Sequence, residues 1–196
     1  MSLYGSGLNS AQHESNSPAA DSFGGTPDSG QRLNGESRIS SGREASRVKT
    51  VLVLDDDSGS LNVLHWILER SYKVLKTGSA EEAVRLCREH GRNIHLIVAD
   101  VILRSSMSGT EVCREVRKGC PDIPILFSSG TPIEGWPEYD FDNLRILMSG
   151  RVNFLQKPFT PNALVSKVTN LLDGASSSEM QRMFGEAETF RKIGKR

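Results

Sequence analysis

The chain has 196 residues, with 24 Lys and Arg against 24 Asp and Glu, so its formal net charge is zero and a nucleic-acid binder driven by bulk charge is disfavoured. No apolar run approaches the ~18–20 residues of a membrane helix, and the first residues lack the basic and apolar regions of a secretory signal. Three cysteines without CxxC spacing indicate reduced thiols of a cytoplasmic protein, not a disulfide framework or a zinc site.

Residues 1–47 come first in chain order and hold 11 Ser and 7 Gly with few larger apolar side chains. Such a segment buries too little surface to offset its chain entropy, so we expect it to be disordered. The folded domain is expected at residues 48–173. Residues 174–196 follow as a linker and a short tail.

From Val48 onward, short aliphatic runs alternate with segments of helical spacing. The runs predict five buried strands, at Lys49–Leu54, Tyr72–Thr77, Ile94–Ala99, Ile123–Phe127 and Val152–Leu155. The first helix is predicted over Ser58–Ser71, the second after a capping box of Ser79 and Glu82, the third through Val112 and Val116, and the last after Thr160 and Pro161.

The connection after the fourth strand has a different composition. Prolines, a glycine and several acids predict no helix over 131–142, and one or two helical turns over Leu144–Met148. We therefore expect 131–149 to be irregular and mobile. Trp136 is expected to anchor this loop, whereas Trp66 is expected to pack on the apolar face of the first helix.

Strands that alternate with helices predict an α/β fold with a parallel, doubly wound sheet covered on both faces. Ligands of such sheets sit at the carboxyl ends of the strands. Polar residues gather at those ends: Asp55, Asp56 and Asp57 after the first strand, Asp100 after the third, Ser128 and Ser129 after the fourth, and Lys157 after the fifth.

This set of residue types points to phosphoryl chemistry. Carboxylates from neighbouring strands repel one another unless a cation lies between them, and oxygen ligation suits Mg²⁺. A carboxylate beside Mg²⁺ can attack phosphorus to form an aspartyl phosphate, while a lysine and a serine hold the remaining phosphoryl oxygens. Helix capping and solvation would account for any one of these residues, but not for all of them together.

In this order and at these strand ends, the residues resemble the receiver domain of two-component response regulators, over about Lys49–Asp173. The stretch around Asn153–Pro161 is most similar to receivers attached to hybrid histidine kinases. The resemblance implies a flavodoxin-like (βα)5 fold with strand order 2-1-3-4-5. It assigns these roles: Asp55 and Asp56 to Mg²⁺, Asp100 as phosphoacceptor and metal ligand, Ser129 and Phe154 as the switch pair, and Lys157 to the phosphoryl group.

The resemblance also implies a function and partners. The domain would take a phosphoryl group from a phosphohistidine on a sensor histidine kinase or a histidine phosphotransfer protein. It would act as a signalling receiver and not as an enzyme with turnover, and would signal by contact with a downstream protein. No nucleic-acid or membrane partner is expected.

Three further positions, Ile102, Arg104 and Asp57, lie close to the acids in the sequence. Ile102 would offer its backbone carbonyl to the metal, while its apolar side chain cannot position a hydrolytic water. Arg104 stands where receivers often carry a proline, and the loop before Gly109 is one residue longer than the commonest form. Asp57 is interpreted as the cap of the first helix, with a shift of the acidic pair to Asp56 and Asp57 as the alternative.

Two other functions compete with this interpretation. A haloacid-dehalogenase-like phosphatase also uses Asp-x-Asp, a strand-end serine and a lysine, but it resembles a pattern with a later acidic pair and leaves Asp100 unexplained. A degenerate receiver that serves only for docking is disfavoured because every reactive position is filled.

The tail carries apolar residues near helical spacing, at Met180, Met183, Phe184, Ala187 and Phe190. They predict an amphipathic helix that docks on a partner or on the domain itself, and a frayed tail is the alternative.

Overall fold

The computed structural model describes residues 48–175 and 178–194. The predicted disorder of residues 1–47 lies outside the described residues. The strands are β1 Thr50–Leu54, β2 Lys73–Thr77, β3 Leu96–Asp100, β4 Ile125–Ser129 and β5 Val152–Gln156. The helices are α1 Ser58–Leu68, α2 Ala80–His90, α3 Gly109–Gly119, α4 Glu138–Leu147, α5 Pro161–Leu172 and α6 Ser178–Ile193.

The strands form one parallel sheet in the order β2-β1-β3-β4-β5, which confirms the predicted fold class and strand order. In the register between β3 and β4, Asp100 lies beside Ser128. The polar ends of four strands therefore meet at one edge of the sheet, as expected for a ligand site of this topology.

Alternate side chains of each strand enter two separate apolar layers. Val51 and Val53 of β1 belong to the layer that includes side chains of α1 and α5, whereas Leu52 and Leu54 belong to the layer that includes side chains of α2, α3, α4 and α6. Because strands of a parallel sheet are buried on both faces, both sets of residues are apolar. No helix among residues 48–175 and 178–194 is long and apolar enough to cross a membrane.

Polar side chains cap the helices much as the sequence predicts. Ser79 accepts a hydrogen bond from the Glu82 N–H at the start of α2, and Thr160 caps α5, which begins with proline. The reciprocal capping box, in which both halves are present, is instead that of Ser108 and Glu111 at α3. This box fixes the end of the loop that follows β3.

The prediction of no helix over 131–142 is wrong from Glu138 onward, whereas the helical turns predicted over Leu144–Met148 are present as the end of a longer helix. After a 3₁₀ turn at Ile133–Gly135, α4 begins at Glu138 directly after Pro137. The proline and acids that suggested a loop are the signals of a helix start, where a proline precedes the first turn and carboxylates face the positive end of the dipole. Phe141, Leu144 and Leu147 then bury one face of the helix.

Trp66 lies elsewhere than predicted, whereas Trp136 anchors its loop as expected, with its indole donating to the Thr131 carbonyl at 3.0 Å. Trp66 is 55% exposed because the buried stripe of α1 consists of Leu64, Ile67 and Leu68, and the Arg70 guanidinium lies over its ring, 4.8 Å from the centroid. Trp136 is 2% exposed, so its side chain is part of the core and more than a loop anchor.

The tail forms the helix α6, which docks on the domain itself. Met180 and Ala187 of α6 are buried against the layer that contains α4 and β5. Of the alternatives open from the sequence, the structure confirms the amphipathic helix and contradicts the frayed tail for residues 178–193.

Candidate functional site

Three carboxylates meet where β1 and β3 end. Asp55, Asp56 and Asp100 each offer an oxygen, and these atoms lie within 4.8 Å of one another. The Asp55 side chain is fully buried, whereas those of Asp56 and Asp100 are 18% and 14% exposed. The pocket thus opens to solvent beside Asp56 and Asp100.

Lys157 joins two of the carboxylates. Its Nζ donates to Asp55 Oδ2 at 2.8 Å and to Asp100 Oδ2 at 2.9 Å. The lysine follows β5, and its backbone N–H donates to the Ser129 carbonyl at 2.8 Å, which extends the β4–β5 ladder by one bond. The backbone of the sheet therefore positions the ammonium group.

The charges of the cluster shift one another's pKa values. Burial raises the pKa of Asp55, although the hydrogen bond and charge of Lys157 oppose that rise. Burial lowers the pKa of Lys157, but the hydrogen bonds and charges of Asp55 and Asp100 outweigh it, so the pKa is raised. Three carboxylates, Asp56 included, face this ammonium, and the excess negative charge favours a further cation.

The first acidic pair is Asp55 and Asp56. Asp57 caps α1, as predicted, because its Oδ1 accepts the Ser60 N–H at 2.7 Å, and this hydrogen bond lowers the pKa of Asp57. Asp57 also donates its own N–H to Asp55 Oδ1 at 3.0 Å. The cap draws Asp57 out of the cluster, so the alternative pair of Asp56 and Asp57 is not the one the structure assembles.

Arg104 holds the carboxylate of Asp56. Its backbone N–H donates to Asp56 Oδ2 at 2.8 Å, and its Nε lies 3.4 Å from the same oxygen. The Arg104 side chain is 83% exposed, so solvent screens most of its charge. The position at which the sequence departs from most receivers thus lies at the mouth of the site.

The start of the β3–α3 loop is fixed by Asp100 and by Gly109. Asp100 Oδ1 accepts the Ile102 N–H at 3.2 Å, and the Ile102 side chain is half exposed. A Cβ on Gly109 would lie 1.8 Å from the Asp100 carbonyl oxygen, so only glycine fits there. The sequence analysis missed this requirement, although a glycine directly after the helix cap Ser108 was its signal.

Ser129 ends β4, next to the strand that ends in Asp100, and Phe154 lies on the following strand β5. The Ser129 hydroxyl accepts the Thr131 N–H at 3.1 Å, and within the described residues no hydrogen bond joins it to a carboxylate. Phe154 is 2% exposed and packs edge-on against Trp136, with 5.5 Å between the ring centroids. Neighbouring Ser128 is buried, and its Oγ finds no partner among the described residues.

The residues that the sequence analysis missed lie behind this switch pair. Trp136 lies between Phe127 and Phe154 and makes an edge-on contact with each, while Arg191 of α6 donates to the Trp136 carbonyl at 2.6 Å. A tryptophan seven residues after the end of β4 gives no local sign of such a contact.

The cluster fits Mg²⁺ by its donor chemistry, since every ligand group is a carboxylate oxygen and the net charge is negative. The cluster also includes Asp100, which the phosphatase alternative leaves without a role. The carbonyl of Ile102 remains a prediction as a metal ligand.

Comparison with known proteins agrees with this geometry. The sequence model of the response regulator receiver domain matches residues 51–169. The alkaline phosphatase synthesis transcriptional regulatory protein PhoP of Bacillus subtilis is 32% identical over 138 residues, which are 68% of this chain and 54% of PhoP. Sensor kinase CckA of Brucella abortus is 27% identical over 139 residues, which are 70% of this chain and 14% of CckA.

The solved structures with a similar fold include a receiver domain protein from Clostridium thermocellum, with a TM-score of 0.55 and 26% identity over 64% of this chain and 95% of that one. The receiver domain of the hybrid histidine kinase CckA gives a TM-score of 0.51 and 25% identity over 63% of this chain and 98% of that one. This chain spans about half or less of the PhoP and CckA sequences, but nearly the whole of these two receiver structures. The family match covers more than half of the chain, and the chain belongs to the response regulator receiver domain family.

Proposed function

We propose that this chain takes a phosphoryl group onto Asp100 from a phosphohistidine and thereby acts as the receiver of a two-component relay. The observation that carries the proposal is the ammonium of Lys157, which joins Asp55 and Asp100 at the carboxylate cluster. A lysine held between a buried and an accessible carboxylate can hold the oxygens of a phosphoryl group that arrives on the accessible one.

Asp100 is the best nucleophile of the three acids. The Asp55 carboxylate is fully buried and accepts hydrogen bonds from Asp57 and Lys157. The Asp56 carboxylate is engaged by Arg104. Asp100 is partly exposed and lies at the end of the central strand β3, so that a phosphate on it is reached from β1, β4 and β5.

In the transfer, one carboxylate oxygen of Asp100 attacks phosphorus in line with the leaving nitrogen. The new P–O bond forms as the P–N bond breaks, and the imidazole leaves with the electron pair and takes a proton from solvent. Lys157 retains its ammonium charge throughout, because the raised pKa keeps it protonated at neutral pH. It stabilises the negative charge on the transferred oxygens.

The proposed site would take Mg²⁺, and the carboxylates of Asp55, Asp56 and Asp100 and the backbone carbonyl of Ile102 would hold it. When bound, the ion neutralises negative charge on the phosphoryl group. The oxygen-only donor set supports this assignment.

The proposed switch consists of Ser129 and Phe154. A phosphoryl group on Asp100 offers acceptor oxygens one strand away from the Ser129 hydroxyl, which can turn from the Thr131 N–H to donate to them. Because Phe154 lies next to the same strand end and packs on Trp136, a shift of Ser129 changes the packing of both rings.

The proposed donors are a sensor histidine kinase or a histidine phosphotransfer protein, and the proposed output is contact with another protein. Phosphohistidine donors of this class act in the cytoplasm, so the proposal places this chain there. It acts as a signalling receiver that loses its phosphoryl group slowly by itself.

The test is the intact mass of the chain after incubation with acetyl phosphate and Mg²⁺. We expect wild type to gain one phosphoryl group and Asp100→Asn to gain none. The matched control Asp122→Asn, in the loop before β4 and away from the cluster, should gain phosphate like wild type. Equal uptake by Asp100→Asn and wild type would overturn the assignment.

A further inference from the structure

Helix α6 covers the surface that adjoins the proposed switch. A groove of about 320 Å³ lies between Phe154 and the 3₁₀ turn Ile133–Gly135 on one side, and Met183 and Ala187 of α6 on the other. Ala187 is 3% exposed and Met180 is fully buried. The helix therefore docks through one apolar side that includes a small residue, which allows the backbones to approach closely.

Arg191 fastens the far end of α6. Its guanidinium donates to the carbonyls of Glu134 at 3.1 Å and Trp136 at 2.6 Å, and it lies 4.6 Å from the centroid of the Phe141 ring. Phe184, two turns earlier in α6, stacks on the same ring at 4.8 Å with 13° between the planes. The docking is therefore specific in geometry and involves both hydrogen bonds and aromatic contacts.

A series of three hydrogen bonds leads from the switch serine to this fastening point. The Ser129 hydroxyl accepts the Thr131 N–H at 3.1 Å, and the Thr131 carbonyl accepts the Trp136 Nε1–H at 3.0 Å. The Trp136 carbonyl in turn accepts from Arg191 at 2.6 Å. Ser129 accepts through its side-chain oxygen, whereas Thr131 and Trp136 each offer a backbone carbonyl to the next donor, so a displacement of Ser129 can reach the acceptor of Arg191.

We propose that α6 occupies a helix-binding surface next to β5, and that a phosphoryl group on Asp100 weakens the docking of α6 on that surface. The proposal rests on the proposed function, because it needs Ser129 to turn toward the phosphate. That turn removes the acceptor of the Thr131 N–H, so that Thr131 can move together with the carbonyl that accepts from the Trp136 indole. The Trp136 carbonyl then moves away from the Arg191 guanidinium, and α6 loses the hydrogen bond between them.

The coupling works in both directions. If phosphate at Asp100 weakens the docking of α6, then weaker docking must favour the phosphorylated form by the same factor. Arg191→Ala removes the fastening without touching the acids. The matched control is Arg182→Ala, an exposed arginine of the same helix.

The experiment is hydrogen exchange of the full chain, with and without Mg²⁺ and saturating beryllofluoride, which mimics the phosphoryl group. We expect amides of residues 180–191 to exchange about tenfold faster with beryllofluoride. Arg191→Ala should show this fast exchange already without the mimic and should bind beryllofluoride more tightly by about the same factor. Arg182→Ala should behave like wild type in both respects.

Two failures are distinguishable. Without any exchange response at residues 100–102 and without phosphate uptake from acetyl phosphate, the proposed function fails and this inference fails with it. Phosphate uptake at Asp100 with unchanged exchange in α6 and unchanged beryllofluoride affinity in Arg191→Ala overturns the inference alone.

Discussion

The carboxylate cluster lies at the carboxyl ends of the strands, whereas the aromatic face beneath α6, formed by Phe127, Trp136 and Phe154, belongs to the apolar layer on one side of the sheet. In the cluster, Lys157 donates one hydrogen bond to Asp55 and one to Asp100, and the carboxylates together outnumber this one ammonium group. In the aromatic face, Trp136 and Phe154 are held by close packing. An arriving charge can therefore act directly on the cluster, whereas the packing of the aromatic face changes only when a neighbouring group moves. Under the proposed function, Ser129 is that group.

The largest expected effect concerns packing, at the two tryptophans. Trp136→Ala leaves a cavity next to Phe127 and Phe154 and should lower the free energy of unfolding by about 3–5 kcal/mol. Trp66→Ala, at a site that is half exposed, should change it by no more than about 0.5 kcal/mol. Urea unfolding of both variants checks this difference, and equal losses would contradict the aromatic face as a packed unit.

A smaller loss is expected when the cluster loses its ammonium. Lys157→Met leaves the buried Asp55 without a cation and should lower the free energy of unfolding by about 2 kcal/mol at pH 7. The exposed Lys118→Met serves as the control and should change it by under about 0.5 kcal/mol.

The loss in Lys157→Met should depend on pH in a defined direction. Burial already raises the pKa of Asp55 above its ordinary 3.8, and removal of the lysine leaves only the hydrogen bond from the Asp57 N–H to oppose that rise. The folded variant then holds a proton that the unfolded chain has released, so its stability falls as pH rises above 3.8 and recovers in acid. In wild type, the raised pKa of Lys157 gives a stabilisation that is complete below 10.5 and lost at higher pH. Urea unfolding from pH 4 to pH 8 tests the acid branch, and a loss that grows toward acid would contradict it.

Gly109 offers a test of how the cluster is positioned. Gly109→Ala places a methyl group against the Asp100 carbonyl and should cost about 1–3 kcal/mol and slow phosphate uptake. Gly119→Ala, at the other end of α3 with open space around its Cβ position, should keep or slightly raise stability. Identical uptake rates in the two variants would mean that the Asp100 carbonyl does not depend on this close contact.

The smallest expected change in stability belongs to Asp56. Asp56→Ala relieves repulsion within the cluster but loses the contact with Arg104, so without Mg²⁺ its stability should stay within about 0.5 kcal/mol of wild type. With Mg²⁺, wild type should become more stable, because the ion binds only the folded state, and the variant should not. Unfolding curves with and without Mg²⁺ measure this, and an equal gain in both proteins would remove Asp56 from the metal site.

The carboxylate cluster could be predicted from the sequence. Asp55, Asp100 and Lys157 each follow a recognisable strand, and parallel topology alone brings strand ends to one edge. The choice of Asp57 as a cap also follows from local sequence, since its side chain reaches an N–H three residues away. A site that depends on strand ends and the turns that follow them can thus be predicted from the sequence alone.

The aromatic side could not be predicted, because its residues meet only through tertiary packing. The proline and acids before Phe141 fit a loop and a helix start equally well, and the burial of Trp136 depends on rings from β4 and β5. The docking of α6 depends on the stacking of Phe184 on Phe141 and on backbone carbonyls that accept from Arg191. No periodicity in the tail specifies those partners.

The most direct test of the link between the two regions uses the indole N–H resonances of the two tryptophans, which can be assigned with Trp66→Phe. The Trp136 indole donates to the Thr131 carbonyl, whereas Trp66 lies near the end of α1, exposed and outside the series of hydrogen bonds. On titration with beryllofluoride and Mg²⁺, we expect the Trp136 resonance to shift in step with the Asp100 amide while the Trp66 resonance stays in place. Saturation at Asp100 with an unmoved Trp136 resonance would contradict the account.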